Sequence, residues 1–196
     1  MKAIILYRSK HHGNTLKLVE AIASTFDDVD TLDVATLDKN EVPDLSAYHI
    51  IGVASGIYYG QFDRDLKRVV QAALKPGDKV FALLTYGGED KWYVRDIDGL
   101  CRVCQADLLT SYGCPGYDTW GPFKLKGGVN KGHPTEEEIQ GAVNFYRRLE
   151  TEYGEILEDD YEKRMKRRAY EEAHPRGGLW TLVKNTAKGV AGKKKG

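Results

Sequence analysis

Ile4-Ile5-Leu6-Tyr7 is a short apolar run. It leads through the polar segment Arg8-Ser9-Lys10-His11-His12-Gly13-Asn14-Thr15 into Leu16-Lys17-Leu18-Val19-Glu20-Ala21-Ile22-Ala23. Apolar residues at Leu16, Val19, Ile22, Ala23 and Phe26 repeat at the 3.6-residue period of one buried helix face. The stretch therefore reads as a strand, a glycine-containing loop, and a helix that starts directly from the loop. A loop in that place turns backbone N–H groups and the positive end of a helix dipole toward one point, which suits a phosphate. Ser9, Asn14 and Thr15 add side-chain donors. A βα turn with nothing bound has the same pattern, so the rest of the chain must decide between the two.

Working outward, strand-like apolar runs recur at 2–7, 30–34 (the weakest), 48–54, 79–84 and 107–111, with helical patterns between them at 15–26, 62–74, 93–106 and 136–150. The last helix opens with Pro134 and Thr135 followed three residues later by Glu138, the pattern of a capping box. Alternating strands and helices, with Val/Ile/Leu-rich strands, predict a parallel sheet covered on both faces. Residues 35–46 leave room for only a short, irregular second crossover. The Gly/Pro-rich stretch 113–134 reads as a long loop of the kind that often carries function. No internal repeat is found.

The chain has 196 residues, 41% of them hydrophobic, enough for one core. No apolar run approaches the ~20 residues needed to span a membrane. The first strand pattern starts at once, so no signal peptide is expected. Three cysteines, an odd number, argue against a disulfide scaffold and for a reducing cytoplasm. Net charge is zero but uneven. Residues 1–150 hold 18 Lys/Arg against 21 Asp/Glu, residues 151–172 hold 5 against 8, and residues 173–196 hold 6 with no acid. Nothing in the acidic body forms a phosphate-tracking stripe for nucleic acid.

In such sheets ligands bind beyond the carboxyl ends of the strands, where strand order reverses. Four loops lie there: Ser9 to Thr15, Ser55 to Phe62, Thr85 to Tyr93, and Gly113 to Trp120. The last three combine glycines, which let a backbone approach a planar ligand, with aromatics that can stack on it. One phosphate loop and several glycine/aromatic loops on one sheet edge describe a mononucleotide site holding a flat ring. The competing nucleotide motifs are missing: there is no G-x-x-x-x-G-K-[ST] and no G-x-G-x-x-G after the first strand. Tyr7, Arg8 and Ser9 stand where a Mg²⁺-binding receiver domain needs acids.

Ser9-Lys10-His11-His12-Gly13-Asn14-Thr15, Ser55-Gly56-Ile57-Tyr58-Tyr59-Gly60, and the run from Gly121-Pro122-Phe123-Lys124 to Asn130-Lys131-Gly132 resemble the flavodoxin-like family, in particular its small bacterial flavodoxin-domain proteins. The resemblance covers residues 1–150. It implies a doubly wound α/β fold, a five-stranded parallel sheet in the order 2-1-3-4-5; the charge pattern of residues 151–196 reads as a charged helical extension ending in a basic amphipathic tail. It also implies an FMN cofactor and no metal. Ser9, His11, Gly13, Asn14 and Thr15, with Lys10 and His12 adding charge, would hold the phosphate. Ser55 to Gly60 would run along the ring, with Tyr58 or Tyr59 stacked on it. Thr85, Tyr86, Gly87 and Gly88, with Trp92 or Tyr93 beyond, would close the other side. His12 departs from the family pattern, which commonly has a hydroxyl there.

Cys101 and Cys104 fall near the C-terminal end of a helix, where the dipole disfavours a thiolate, and read as buried apolar residues. Cys114 lies in a loop at the ligand edge and is the one candidate for a catalytic role. His49, at the start of the third strand, reads as structural. Glu158 to Glu172 reads as a solvated helix. Beyond it Leu179, Leu182, Val183, Thr186, Ala187 and Val190 keep helical spacing among lysines. That pattern fits either a peripheral contact with an anionic membrane or self-association.

Two functions follow from the resemblance. One is an FMN-dependent oxidoreductase that passes electrons from a reduced nicotinamide or protein donor to a small acceptor such as a quinone. The other is a non-enzymatic electron shuttle between redox proteins, which the weakly acidic body supports poorly. The flavodoxin-like protoporphyrinogen oxidase type also has a basic C-terminal extension for the membrane, but loop 113–132 does not resemble that family's.

Overall fold

The strands are buried apolar runs, and each is followed by a helix with one apolar face; the sheet follows from covering both. The computed structural model describes residues 1–88, 92–120 and 127–174. In chain order it contains β1 (Ala3–Arg8), α1 (Asn14–Thr25), β2 (Val29–Asp33), β3 (Ile50–Gly56), α2 (Arg64–Ala73), β4 (Lys79–Tyr86), α3 (Tyr93–Val103), β5 (Asp107–Pro115) and α4 (Glu136–Ala173). The strands pair in the order β2-β1-β3-β4-β5, all parallel. The second crossover has only a single 3₁₀ turn, Val34–Thr36.

Alternate strand residues face opposite layers. Ile4, Leu6, Ile51, Val53, Val80 and Ala82 pack with Leu66, Val69 and Val70 of α2 and Ile97 and Cys101 of α3. Ala3, Ile5, Ile50, Phe81 and Leu83 pack instead with Leu18, Val19 and Ile22 of α1 and Ala142, Phe145, Tyr146 and Leu149 of α4. Each fully buried Leu, Ile or Phe contributes about 1.5–3 kcal/mol. The α4 capping box forms in both directions: Thr135 N–H donates to Glu138 Oε2 at 2.6 Å, and Glu138 N–H donates to Thr135 Oγ1 at 3.3 Å.

Three of the differences from the expected boundaries change how a residue is read. β5 runs on to Pro115, because Thr110 to Pro115 stay in register with Phe81 to Tyr86 despite their polar character. That extension places Cys114 in a strand rather than a loop. β3 starts at Ile50 rather than at Tyr48, whose hydroxyl donates to Asp30 Oδ2 at 2.8 Å. The helical patterns at 136–150 and 158–172 join in the one helix α4, on which Lys163 and Lys166 each pair with an acid one turn earlier.

The chain divides into two compact units, Met1–Glu158 and Asp159–Gly196. The described part of the second consists of the last turns of α4 and His174. The expected amphipathic tail at 176–196 and Gly121 to Lys124 lie outside the described residues. Among the described residues no helix is long and apolar enough to cross a membrane.

Candidate functional site

The carboxyl ends of β1, β3, β4 and β5 surround a cleft of about 440 Å³, within the range of small-molecule sites. Its first wall is the loop from β1 into α1. His12 and Gly13 both have positive φ, 57° and 66°, which swings the chain so that α1 begins at the cleft. Gly13, the N-cap, has no side chain with which to cap the helix, and no acid stands in its first turn. The positive end of α1 is thus left for an anion. Ser9 Oγ accepts from the Leu16 N–H at 3.4 Å. Asn14 Nδ2 donates to the Tyr117 carbonyl at 2.8 Å, which leaves Asn14 Oδ1 buried without a partner.

The second wall follows β3. Tyr58 and Gln61 exchange backbone hydrogen bonds at 2.8 and 3.1 Å, closing a two-residue turn in which Tyr59 (φ 55°) and Gly60 (φ 80°) are both left-handed. Tyr58 folds back over Gly56, where a Cβ would lie 2.9 Å from its hydroxyl. That hydroxyl accepts from the Lys10 N–H at 3.0 Å, and burial pushes the phenol's pKa up. Lys10 Nζ reaches Asp63 Oδ2 at 2.5 Å. Asp63 is buried and caps α2 through the Asp65 and Leu66 N–H groups. Burial works against its charge, but Lys10 and these N–H donors outweigh burial and hold its carboxyl below the ordinary value.

Tyr86 and Gly87 from β4 and its loop form the third side. A Cβ on Gly87 would overlap the Asp118 carboxylate. The fourth side is Gly116, Tyr117, Asp118 and Trp120. Gly116 lies so close that a Cβ would stand 2.8 Å from Asn14 Nδ2. Trp120 meets Tyr59 edge to face at 4.7 Å; the two are 51% and 82% exposed and mark the mouth.

Most of the expected site residues converge here: Lys10, His11, Asn14 and Thr15 from the first loop, Gly56 to Tyr59 from the second, and Thr85 to Gly87 from the third. Ser9, His12, Gly13, Ser55, Gly60 and Gly88 belong to the same loops without lining the cleft. Trp92 and Tyr93 turn elsewhere. The Arg95 guanidinium lies 3.5 Å from the Trp92 ring, and the Tyr93 hydroxyl donates to the Gly88 carbonyl at 2.9 Å. Cys114 does not line the cleft. It sits in the core between β5 and α4, where burial, with help from Glu138, pushes its thiol up to about 12. Sequence reasoning placed Gln61 and Phe62 in the second loop without naming them as site residues, and missed Asp63 and Arg64, which follow directly on it. It also passed over Gly116 to Trp120, although their loop stood among those at the sheet edge. The Gly-Tyr-Asp-Thr-Trp composition was the available signal.

Comparison with known proteins agrees with this architecture. A family model described as the flavodoxin domain matches residues 4–92. An uncharacterised protein of Methanocaldococcus jannaschii is 34% identical over 151 residues, covering 76% of this chain and 98% of that protein. Among solved structures, a flavodoxin from the domain Archaea superposes with a TM-score of 0.55 at 20% identity, over 81% of this chain and 99% of its own. The flavodoxin of Streptococcus pneumonia TIGR4 gives 0.52 at 18% identity, over 77% and 99%. With the sheet order and these similarities in agreement, this chain belongs to the flavodoxin-like family.

Proposed function

We propose that the chain is an FMN-binding redox protein, and that it acts as an oxidoreductase rather than as a passive carrier. The observation that carries FMN is the start of α1: its N-cap is a glycine, its first turn is free of acid, and it opens on a cleft walled by tyrosines and a tryptophan. The cradle fits a flavin mononucleotide on two further counts. Asn14 Oδ1 is a buried acceptor without a partner, and Gly56 and Gly116 let the Tyr58 ring and the Asn14 amide pack against the cleft backbone where a Cβ would stand. FMN, when bound, supplies reversible one- and two-electron chemistry.

The residues divide the work. The N–H groups of loop 9–15 and the α1 dipole would hold the phosphate, with His11 beside them. Gly56 to Tyr59 would run along the ring, with Tyr58 fixed by its bond from Lys10. Tyr86 and Trp120 would supply the other faces, and the aromatics would keep water from the ring. The Lys10–Asp63 pair holds the first loop against the N-terminus of α2.

Exposure of Tyr59 and Trp120 at the mouth favours direct exchange with small molecules, a reduced nicotinamide as donor and a quinone as acceptor. The test is turnover of NADH and NADPH with a panel of quinones, set beside reduction by a ferredoxin reductase. Turnover with nicotinamide and quinone alone is expected. Reduction only through the protein reductase would make the chain an electron shuttle. A chain that takes up no FMN on titration would overturn the proposal.

A further inference from the structure

His12 occupies the position where the family pattern commonly has a hydroxyl, and its ring is engaged across the cleft rather than at the loop's own N–H groups. Its Nε2 lies 2.9 Å from Thr119 Oγ1, and its ring is 4.3 Å from that of Tyr117, tilted by 38°. Two residues on, Asn14 donates to the Tyr117 carbonyl. The phosphate loop thus grips the loop after β5 at two successive points.

The His12–Thr119 contact governs Trp120. Asp118 is fixed from the far side by paired backbone bonds with Val129, 3.0 and 2.8 Å. Beyond Asp118, the described anchors are the His12–Thr119 bond, the Trp120 N–H donated to Asp118 Oδ1 at 2.8 Å, and the Tyr59–Trp120 ring contact. Of these, the His12–Thr119 bond alone ties Trp120's neighbourhood to the phosphate loop.

We infer that His12 is a positioning residue that latches residues 117–120 to the phosphate loop, so that anion occupancy of the loop and the seating of Trp120 over the cleft mouth are linked. The link follows from the backbone. His12 is a non-glycine residue in the left-handed region, a conformation that L-residues reach only at a cost. An anion held by the adjacent N–H groups stiffens that backbone, and with it the direction in which the ring leaves the chain. The inference rests on the phosphate end of the proposed FMN site and extends it to a residue outside the cleft wall.

The experiment uses the full chain with Trp92→Phe and Trp180→Phe, so that Trp120 is the sole indole emitter. Acrylamide quenching without ligand reads the latch. His12→Ala and Thr119→Val should raise the quenching constant at least twofold, and Thr119→Ser, which keeps the hydroxyl, should not. Inorganic phosphate then reads the link. It should protect Trp120 in the parent, with the protection at least fivefold smaller in Thr119→Val although calorimetric phosphate affinity stays within threefold. Unchanged quenching in both disruptive variants would overturn the latch. Full phosphate protection in Thr119→Val would overturn the link. If the parent binds no phosphate, the phosphate end of the FMN reading falls and takes the link with it, while the quenching arm still decides the latch.

Discussion

The hydroxyls of Thr15 and Thr85 meet at 2.9 Å, tying the first turn of α1 to the end of β4. Both residues are almost sealed from solvent, so each hydroxyl is the other's partner in a dry place. Thr85→Val should therefore cost about 1–3 kcal/mol by stranding the Thr15 hydroxyl. The double change Thr15→Val/Thr85→Val should cost less than the sum of the singles, because it removes both polar groups. Urea titration of the four proteins gives the cycle; strict additivity would show that the bond contributes nothing.

Ligand binding separates these residues from ordinary packing. Thr15→Val should weaken FMN binding by about 1–3 kcal/mol, through a lost hydrogen bond at the charged end of the ligand. Riboflavin, which lacks the phosphate, should lose far less. Flavin fluorescence titration reads both ligands, and equal losses would assign Thr15 a purely structural role.

Asp63 carries a pH dependence whose direction follows from its surroundings. Lys10 and two backbone N–H donors hold its folded carboxyl below the ordinary value, against the pull of burial. An unfolded aspartate titrates near ~3.9. The stability that its charge contributes is therefore complete above that pH and is lost as pH falls through the lower folded value. Asp63→Ala should cost about 0.5–2 kcal/mol at pH 7 through loss of the α2 cap. Denaturation midpoints at pH 7, 5 and 3 should show the gap to the parent narrowing at the lowest pH; a constant gap would mean that charge plays no part.

The thiols should be inert. Burial pushes both Cys101 and Cys114 up to about 12, so almost no thiolate exists at neutral pH. Iodoacetamide should label neither in the folded protein and all three cysteines after denaturation, read by mass spectrometry. Replacing Cys101 and Cys104 by Ala should leave turnover nearly unchanged, at about 1 kcal/mol each in stability. Loss of activity with normal flavin content would make the pair redox-active.

Deleting residues 176–196 should preserve FMN binding, because every described residue of the cleft precedes residue 121. Vesicle flotation and sedimentation of the full and shortened chains separate the two roles open to the tail. Salt-sensitive binding to anionic vesicles that the shortened chain lacks would mark a membrane contact. A change from dimer to monomer would mark self-association, which Gly177, Gly178 and Gly189 favour, since each weakens an isolated helix by ~1 kcal/mol relative to Ala. Loss of flavin would contradict both.

Much of the fold was legible because its signals are local. Ile4 to Leu6 and Ile50 to Ala54 are unbroken apolar runs, and the Thr135/Glu138 box is a four-residue pattern that folds as written. The end of β5 was not legible, since Tyr112 to Pro115 become strand only through pairing with β4. In the site, the phosphate loop and the Tyr58–Tyr59 turn announce themselves by composition. Gly116 to Trp120 enter the cleft through long-range contacts, Asn14 to Tyr117 and His12 to Thr119, each more than 100 residues apart along the chain. Trp92 shows the converse: an aromatic in the right loop, drawn aside by Arg95 on its own helix.

The Tyr59–Gly60 turn has the backbone of a type I′ hairpin, for which Asn-Gly is the preferred pair. An aromatic in its first position gives up local stability to display a ring that is 82% exposed. Tyr59→Asn should therefore fold more firmly, by up to about 1 kcal/mol, while holding its ligand less well. Stability and function pull in opposite directions at this one residue, so selection for heat resistance alone would be expected to erase it.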